Sequence, residues 1–494
     1  MKSPCRSKLC LCLCLCLCLC LTVLWLQGAG AQNRAAPGAD QREVAREGPR
    51  SDERRPDEPF TVDLFGAPVQ LSGSWEYRDE RRRNHDLDTT RARDRRAREH
   101  EGKLEARVQL GADTQAFAQI VGLHETRRTQ GSHGKRVTHS VERGQMWVQR
   151  ARLGGTPWSL QVGRVALLDR RAWWWDDDLD AIRARHATQT WRLDTGLARE
   201  IAEKSSAENG IAPASRGVTR GFGQATWPWP PRHALEAFWL VQKDGSSRPV
   251  VGAVFANEDA TEPSDLRARW IGLRASGEWR VADGPRLAYW ADTAWLRGRE
   301  HLTGFDEQPN RTFAAVGATS LRVNGNALDI GASVGLALPL PLRPSLTLVS
   351  ARGSSGFRQT GLQENKTRFA GVKRWRRYGE LVRPELANLS VATVGAGVRV
   401  LNNSSLDLLV HRFRQVSAAK SIAGSRLSAD LQGTNTSVGR EVDLLFAMRE
   451  WKQVEFTAMA SHFKPGAAFA PDQRNSAYAI EFGIAINFRE GPAT

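Results

Sequence analysis

Residues 170–183 read RRAWWWDDDLDAIR. Carboxylates crowded among arginines suit two chemistries. Hard cations gather several carboxylates, but the ligand spacing of a calcium loop is absent here, and no metal site is expected. Charge pairing is the better use, because a carboxylate accepts two parallel donors from a guanidinium. Asp176 and Asp180 are the candidate charge partners, holding arginines at set positions. Catalytic chemistry has no anchor. The ten histidines form no nucleophile–base arrangement that the sequence reveals. GSSG at 353–356 is not the G-x-S-x-G elbow of a hydrolase. GAG at 395–397 lacks the third glycine and the following helix of a dinucleotide loop. The chain reads as a non-enzyme without a cofactor.

The tryptophans of that stretch demand a surface that also tolerates aspartates, and the rest of the chain defines it. Lys2, Arg6 and Lys8 precede an apolar run over 9–26, and Ala29-Gly30-Ala31 follows it. That order describes a secretory signal over 1–31 with cleavage before Gln32; an uncleaved anchor is the alternative. All seven cysteines (Cys5, Cys10, Cys12, Cys14, Cys16, Cys18 and Cys20) lie inside it. A mature chain without thiols excludes disulfides, cysteine nucleophiles and thiolate metal sites. Loss of the three basic signal residues takes the net charge from +16 to +13. Such a balance favours lipid headgroups or acidic polymers, and export argues against nucleic acid. Mean hydropathy is −0.45, which excludes a bundle of membrane-spanning helices.

Residues 32–60 are charged and poor in apolar groups, and read as a flexible periplasmic leader. From there apolar residues recur with period two. Tyr478, Ile480, Phe482, Ile484, Ile486 and Phe488 share one face, opposite Glu481, Gly483 and Asn487. The same alternation runs through 328–338, 392–400, 442–449 and 103–110. Some segments are joined by short turns such as LPLRP (340–344), others by long polar stretches such as 202–230 and 352–388. An arginine-rich run over 81–103 reads as the first loop. Together these features predict an all-β transmembrane antiparallel β-barrel over 61–489, with a C-terminal tail at 490–494. Short turns would face the periplasm and long loops the exterior. Alternation alone also fits a soluble sandwich or a β-helix. The signal, the absent thiols and a final strand ending in an aromatic favour the barrel, although the chain runs six residues past Phe488. Trp173, Trp174 and Trp175 would then sit in the interfacial girdle, with Asp176, Asp177 and Asp178 just beyond. Parity puts Arg107, Arg274, Arg399 and Arg449 opposite the apolar face, in the lumen. Arg412 and Arg414 share parity with Leu408 and Val410, which points them outward or onto a rim.

RRAWWWDDDLDAIR after LQVGRV, WIGLRASGEW (270–279), the long block GFRQTGLQENKTRFAGVKRWRRYGELVRPELANLS (356–390), NNSSLDLLVHRFRQ (402–415) and FKPGAAF (463–469) resemble segments of the alginate-export family of outer-membrane proteins. The likeness runs over most of 69–489. It implies eighteen strands, where periodicity alone resolves about sixteen. It also implies an arginine-rich lumen that passes an acidic polysaccharide or small anionic solutes. Arg164 and Arg183 join the candidate substrate-binding set through this resemblance. Arg358, Lys366, Arg368, Arg374 and Arg383 fall in a long segment that resembles a loop folding back into the pore. Arg412 and Arg414 complete the set. The implied partners are outer-membrane lipid, the anionic substrate and periplasmic export components. Competing classes are an anion porin for small organic acids, an outer-membrane enzyme and a plugged structural barrel.

Overall fold

The computed structural model describes residues 60–488, apart from 65, 89, 91–92, 131–134, 209, 230–231, 247, 257–263, 281–283, 309–311 and 338–341. The expected signal peptide, all of the leader but Phe60, and the tail at 490–494 lie outside the described residues.

Period-two alternation with oil on one face and polar groups on the other builds strands that satisfy their backbone only with neighbours. In a bilayer the last edge must be closed as well. Eighteen strands do this: β1 (Ala67–Arg83), β2 (Arg95–Gly111), β3 (Thr114–Thr129), β4 (Lys135–Arg150), β5 (Trp158–Leu168), β6 (Asp176–Ala187), β7 (Arg192–Arg199), β8 (Val218–Trp229), β9 (His233–Asp244), β10 (Ser264–Arg280), β11 (Arg286–Glu307), β12 (Phe313–Gly335), β13 (Ser345–Gly353), β14 (Leu389–Leu401), β15 (Ser404–Gln415), β16 (Ser437–Met448), β17 (Val454–Pro465) and β18 (Ala477–Phe488). Each pairs antiparallel with the next. β1 pairs with β18, from Gly73 opposite Phe488 to Arg83 opposite Tyr478, and the cylinder is complete. A short strand at Phe60–Leu64 folds back on β1, so the expected leader ends one residue early. Among the described residues no helix is long and apolar enough to cross a membrane.

The outward face carries exposed aliphatic and aromatic side chains: Leu104, Ile182, Leu328, Leu348, Val394 and Ile480. These are the residues that lipid would cover. Connections alternate between short turns, such as 402–403, and long segments, such as 354–388. The short turns belong at the periplasmic end.

Two expected loops are strands. The run 202–230 contains β8, whose alternation is inverted: Phe222 points inward and Gly221 and Gly223 take the outward positions. The arginine-rich run 81–103 is the end of β1 and most of β2, with a loop only over 84–94. Its charges stand on the strand ends because those ends project beyond the apolar band.

The barrel is not hollow. Buried aromatics and aliphatics from 169–175 and 354–388 form a core inside it with inward residues of the wall, among them Phe238, Trp270 and Leu445. The segment between β13 and β14 enters the barrel, and a two-residue hairpin (Lys366–Thr367 with Trp375–Arg376) gives it local shape.

Candidate functional site

The tryptophan run lies inside the barrel, which corrects the interfacial reading. Trp173, Trp174 and Trp175 are almost fully buried. Trp174 stacks on Phe238 at 5.0 Å between centroids, and Trp175 meets Phe222 and Phe238 edge-on. The cause is the tight turn between β5 and β6. Ala172 takes a left-handed φ of 48°, and its N–H donates to the Asp169 carbonyl at 2.8 Å. Asp169 Oδ2 accepts from the N–H of Trp173 (3.0 Å) and Trp174 (3.1 Å). The turn therefore folds over into the lumen, and the rings go with it.

Arg274 of β10 fixes that turn to the wall. Its guanidinium grips both carboxylate oxygens of Asp169, with Nη2 at 2.8 Å from Oδ2, and also binds Asp292 of β11. Burial alone would raise the Asp169 carboxyl, but Arg274 and the backbone donors outweigh it and hold its pKa down at about 2. Arg171 lies 4.0 Å from the centroid of the Trp290 ring and donates to Asp292 at 3.1 Å.

Asp329 of β12 performs the same service for the long segment. It accepts from Arg377 at 3.1 Å and from the Tyr378 hydroxyl at 2.7 Å. Tyr378 in turn accepts from Trp173 Nε1 at 2.9 Å, which ties the two inward loops together. Burial, then the neighbouring Asp329, pushes the Tyr378 phenol well above its ordinary range. Further along, Glu441 accepts from the N–H groups of Leu381 (2.7 Å) and Val382 (3.0 Å).

Two of the cavities around these loops hold candidate residues. The larger, about 1400 Å³, is lined partly by short-turn residues such as Gly284, Arg343 and Asn402. Eight arginines line it against three acids; Arg171 and Arg274 are bound by Asp169, Asp292 and Asp329, and the other six still leave a cationic vestibule at the short-turn end. The smaller, about 310 Å³, lies against β1–β4, the tip of β6, Arg449 and the strands β17 and β18, and is walled on its other side by the long segment. Ten basic and nine acidic side chains line it, so its charge is mixed.

The structure sorts the candidate residues. Arg274, Arg368 and Arg399 line the vestibule, and Lys366, Arg374, Arg383, Arg449 and Asp176 line the smaller cavity. Several of these are held by acids or carbonyls: Arg383 by Glu380 at 3.1 Å, Arg449 by Glu455 at 2.7 Å and the Val372 carbonyl at 2.8 Å, and Lys366 by Glu364 at 3.3 Å. Asp176 is 3.9 Å from Arg374. Arg107 faces inward over the Phe117 and Trp147 rings. Arg358 pairs with Glu300 at 2.5 Å. Arg183 is buried and bound to Asp194 and the Ala166 carbonyl, a staple within the wall. Asp180 shares parity with the outward Ile182 and accepts from the Ile201 N–H at 3.1 Å. It clamps Arg143 bidentately at 2.7 and 2.8 Å and lies 3.8 Å from Arg164, so it is part of the wall where β4 and β5 separate. Arg412 and Arg414 face outward with Leu408 and Val410 and do not enter the lumen; the unbroken alternation of β15 leaves them no other side.

Residues that the sequence reading passes over include Arg171, Arg377 and Asp329 of the buried network, and Arg78, Lys103, Arg143, Lys373 and Arg376 of the smaller cavity. Parity signals Arg78 and Lys103, since both oppose outward neighbours. Arg171 and Arg377 lie in irregular segments, where nothing local signals them. Among the described residues no group of three or more acidic or histidine side chains converges as a metal site.

A closed barrel with an oily exterior, charged cavities and inward loops defines an outer-membrane channel of the porin type. A family model described as alginate export matches residues 67–481. The chain belongs to the alginate export family. It is 28% identical over 353 residues to the alginate production protein AlgE of Pseudomonas aeruginosa, covering 66% of this chain and 70% of that one. To AlgE of Pseudomonas syringae pv. tomato it is 26% identical over 348 residues, covering 68% and 69%. Among solved structures, Acinetobacter baumannii OccAB2 superposes with a TM-score of 0.52 at 8% identity, covering 85% of this chain and 98% of that one. Pseudomonas aeruginosa OccK7 gives 0.51 at 12% identity, covering 85% and 99%. At such identities the structures share the barrel fold alone.

Proposed function

We propose that the barrel conducts an anionic polysaccharide, a uronate polymer of the alginate kind, from the periplasm to the cell surface. The observation that carries this reading is the vestibule of about 1400 Å³ in which six arginines outside the buried network face three acids. A polyuronate carries one carboxylate per sugar. Arginine stays charged and grips each with two parallel donors, so the vestibule concentrates the polymer at the mouth. In the mixed cavity beside the long segment, acids such as Glu455 and Glu380 compete with the substrate for Arg449 and Arg383. Contacts there are weak and exchange, which transport requires. A periplasmic export component would hand the polymer to the turn carrying Arg343. Family membership and the two AlgE relatives support the substrate class.

The test is single-channel recording in planar bilayers. The expected result is anion selectivity with block by oligouronates from the periplasmic side, relaxed in an Arg368→Gln/Arg399→Gln variant. Cation selectivity, or indifference to oligouronates, overturns the reading. Passage of small organic acids is a second reading, favoured by the size of the smaller cavity, about 310 Å³. A deletion strain that releases polysaccharide normally but takes up organic acids poorly would select it.

A further inference from the structure

The outer face at the long-loop end carries rows of like charge in register. Arg81, Arg96, Arg128 and Lys135 stand directly opposite one another across β1–β4. They share outward parity with Leu71, Leu104, Ile120 and Val141, the exposed residues of the same strands. Two more rows repeat the arrangement: Arg267, Arg299 and Arg322 across β10–β12, and Arg412, Arg440 and Lys464 across β15–β17. Like charges directly opposite in a sheet destabilise it. In the first row the nearby outward acid is Asp79, which Arg96 (2.9 Å) and Arg98 (3.3 Å) share. No ion pair among the described residues reaches Arg81, Arg128 or Lys135.

A second observation fixes the level of the first row. Tyr77, His100, His124 and His139 face one another across the same four strands. Their rings form a ladder with centroids 4.8, 5.8 and 4.4 Å apart, flanked by Trp75. Aliphatic side chains lie on one side of the ladder and the basic row on the other. Amphipathic rings in that position mark the membrane–water boundary. The basic row stands four residues further along each strand, about 13 Å beyond the rings, and spans about 14 Å across the four strands. That is headgroup depth, with room for two phosphates at the ends of a disaccharide.

We propose that these rows form a collar that binds the phosphates of the outer-leaflet glycolipid, with β1–β4 as its principal seat. Bound phosphate accepts from the guanidinium forks and relieves the repulsion within each row. The lipid is thus part of the folded barrel's rim.

The experiment uses the purified full chain in neutral detergent. Its melting temperature and native mass spectrum are followed with bisphosphorylated lipid A, with dephosphorylated lipid A, and with inorganic phosphate at millimolar concentration. The expected result is a rise of several degrees and a retained lipid with bisphosphorylated lipid A alone. An Arg81→Gln/Arg96→Gln/Arg128→Gln/Lys135→Gln variant should bind it at least tenfold more weakly, yet melt no lower than the unsubstituted chain when lipid-free. If that variant does not fold, Arg412→Gln/Arg440→Gln/Lys464→Gln gives the same reading on the second face. Equal binding by the variants, an equal shift with dephosphorylated lipid, or an equal shift with free phosphate each overturns the proposal.

Discussion

Arg274 on β10 and Asp169 at the head of the tryptophan turn form a two-pronged pair inside the barrel, with both groups out of reach of solvent. The pair joins the cylinder to what fills it. Arg274→Ala strands Asp169 as a buried carboxylate without its cation and leaves Asp292 to Arg171 alone, and breaking such a buried pair costs about 3–5 kcal/mol. The expected outcome is a lower urea midpoint and noisier open-channel current, because the turn is no longer pinned. A variant with unchanged stability and noise would show that the pair does not hold the turn.

The same pair predicts an acid limit. The Asp169 carboxyl sits at about 2 in the folded chain against an ordinary 3.8. Its stabilisation is complete above pH 3.8 and is lost as pH falls towards 2, for a total of about 2 kcal/mol. Unfolding midpoints measured from pH 5 down to pH 2 should fall over that window. An Asp169→Asn variant should show a shallower fall over that window, the remainder coming from other carboxylates paired with arginines, such as Asp194 and Glu455.

How much of this was legible in the sequence depends on which face a residue serves. The wall is legible because water and lipid lie on opposite sides of each strand: the alternation from Tyr478 to Phe488 marks a two-faced strand, and the expected export signal and the absent thiols select the barrel from the other folds that alternate so. β8 is hidden because Phe222 points inward to meet Trp175, which inverts its pattern. The tryptophan run misleads for a similar reason. Three aromatics beside aspartates suit an interface, and only the fold brings Phe238 and the Tyr378 hydroxyl to meet them inside. Parity separates Arg399 from Arg412 correctly. It is silent on Arg377 and Arg171, whose partner Asp329 lies more than forty residues from the one and more than a hundred from the other.

Because the long segment is held by side-chain and backbone contacts to an already closed wall, the barrel should survive its removal. Replacing 356–386 by a short Gly/Ser turn leaves β13 and β14 in their observed register. The expected outcome is a protein that still shows heat-modifiable migration on gels, with single-channel conductance raised several-fold. Loss of the folded band would show that the segment is needed for assembly. Unchanged conductance would show that it does not obstruct flow.

Gly379 permits a finer test of the same segment. Its φ of +89° favours glycine, and a Cβ there would stand 2.7 Å from the Glu441 carboxylate. That carboxylate already accepts from the Leu381 and Val382 N–H groups, so it cannot retreat without leaving both unpaired. Gly379→Ala should therefore cost about 1–3 kcal/mol and loosen the segment where it passes Arg383. The measurement is limited proteolysis of the detergent-solubilised barrel. Cleavage should appear within 376–386 in the variant and be absent from the unsubstituted chain, while the strands on either side stay intact.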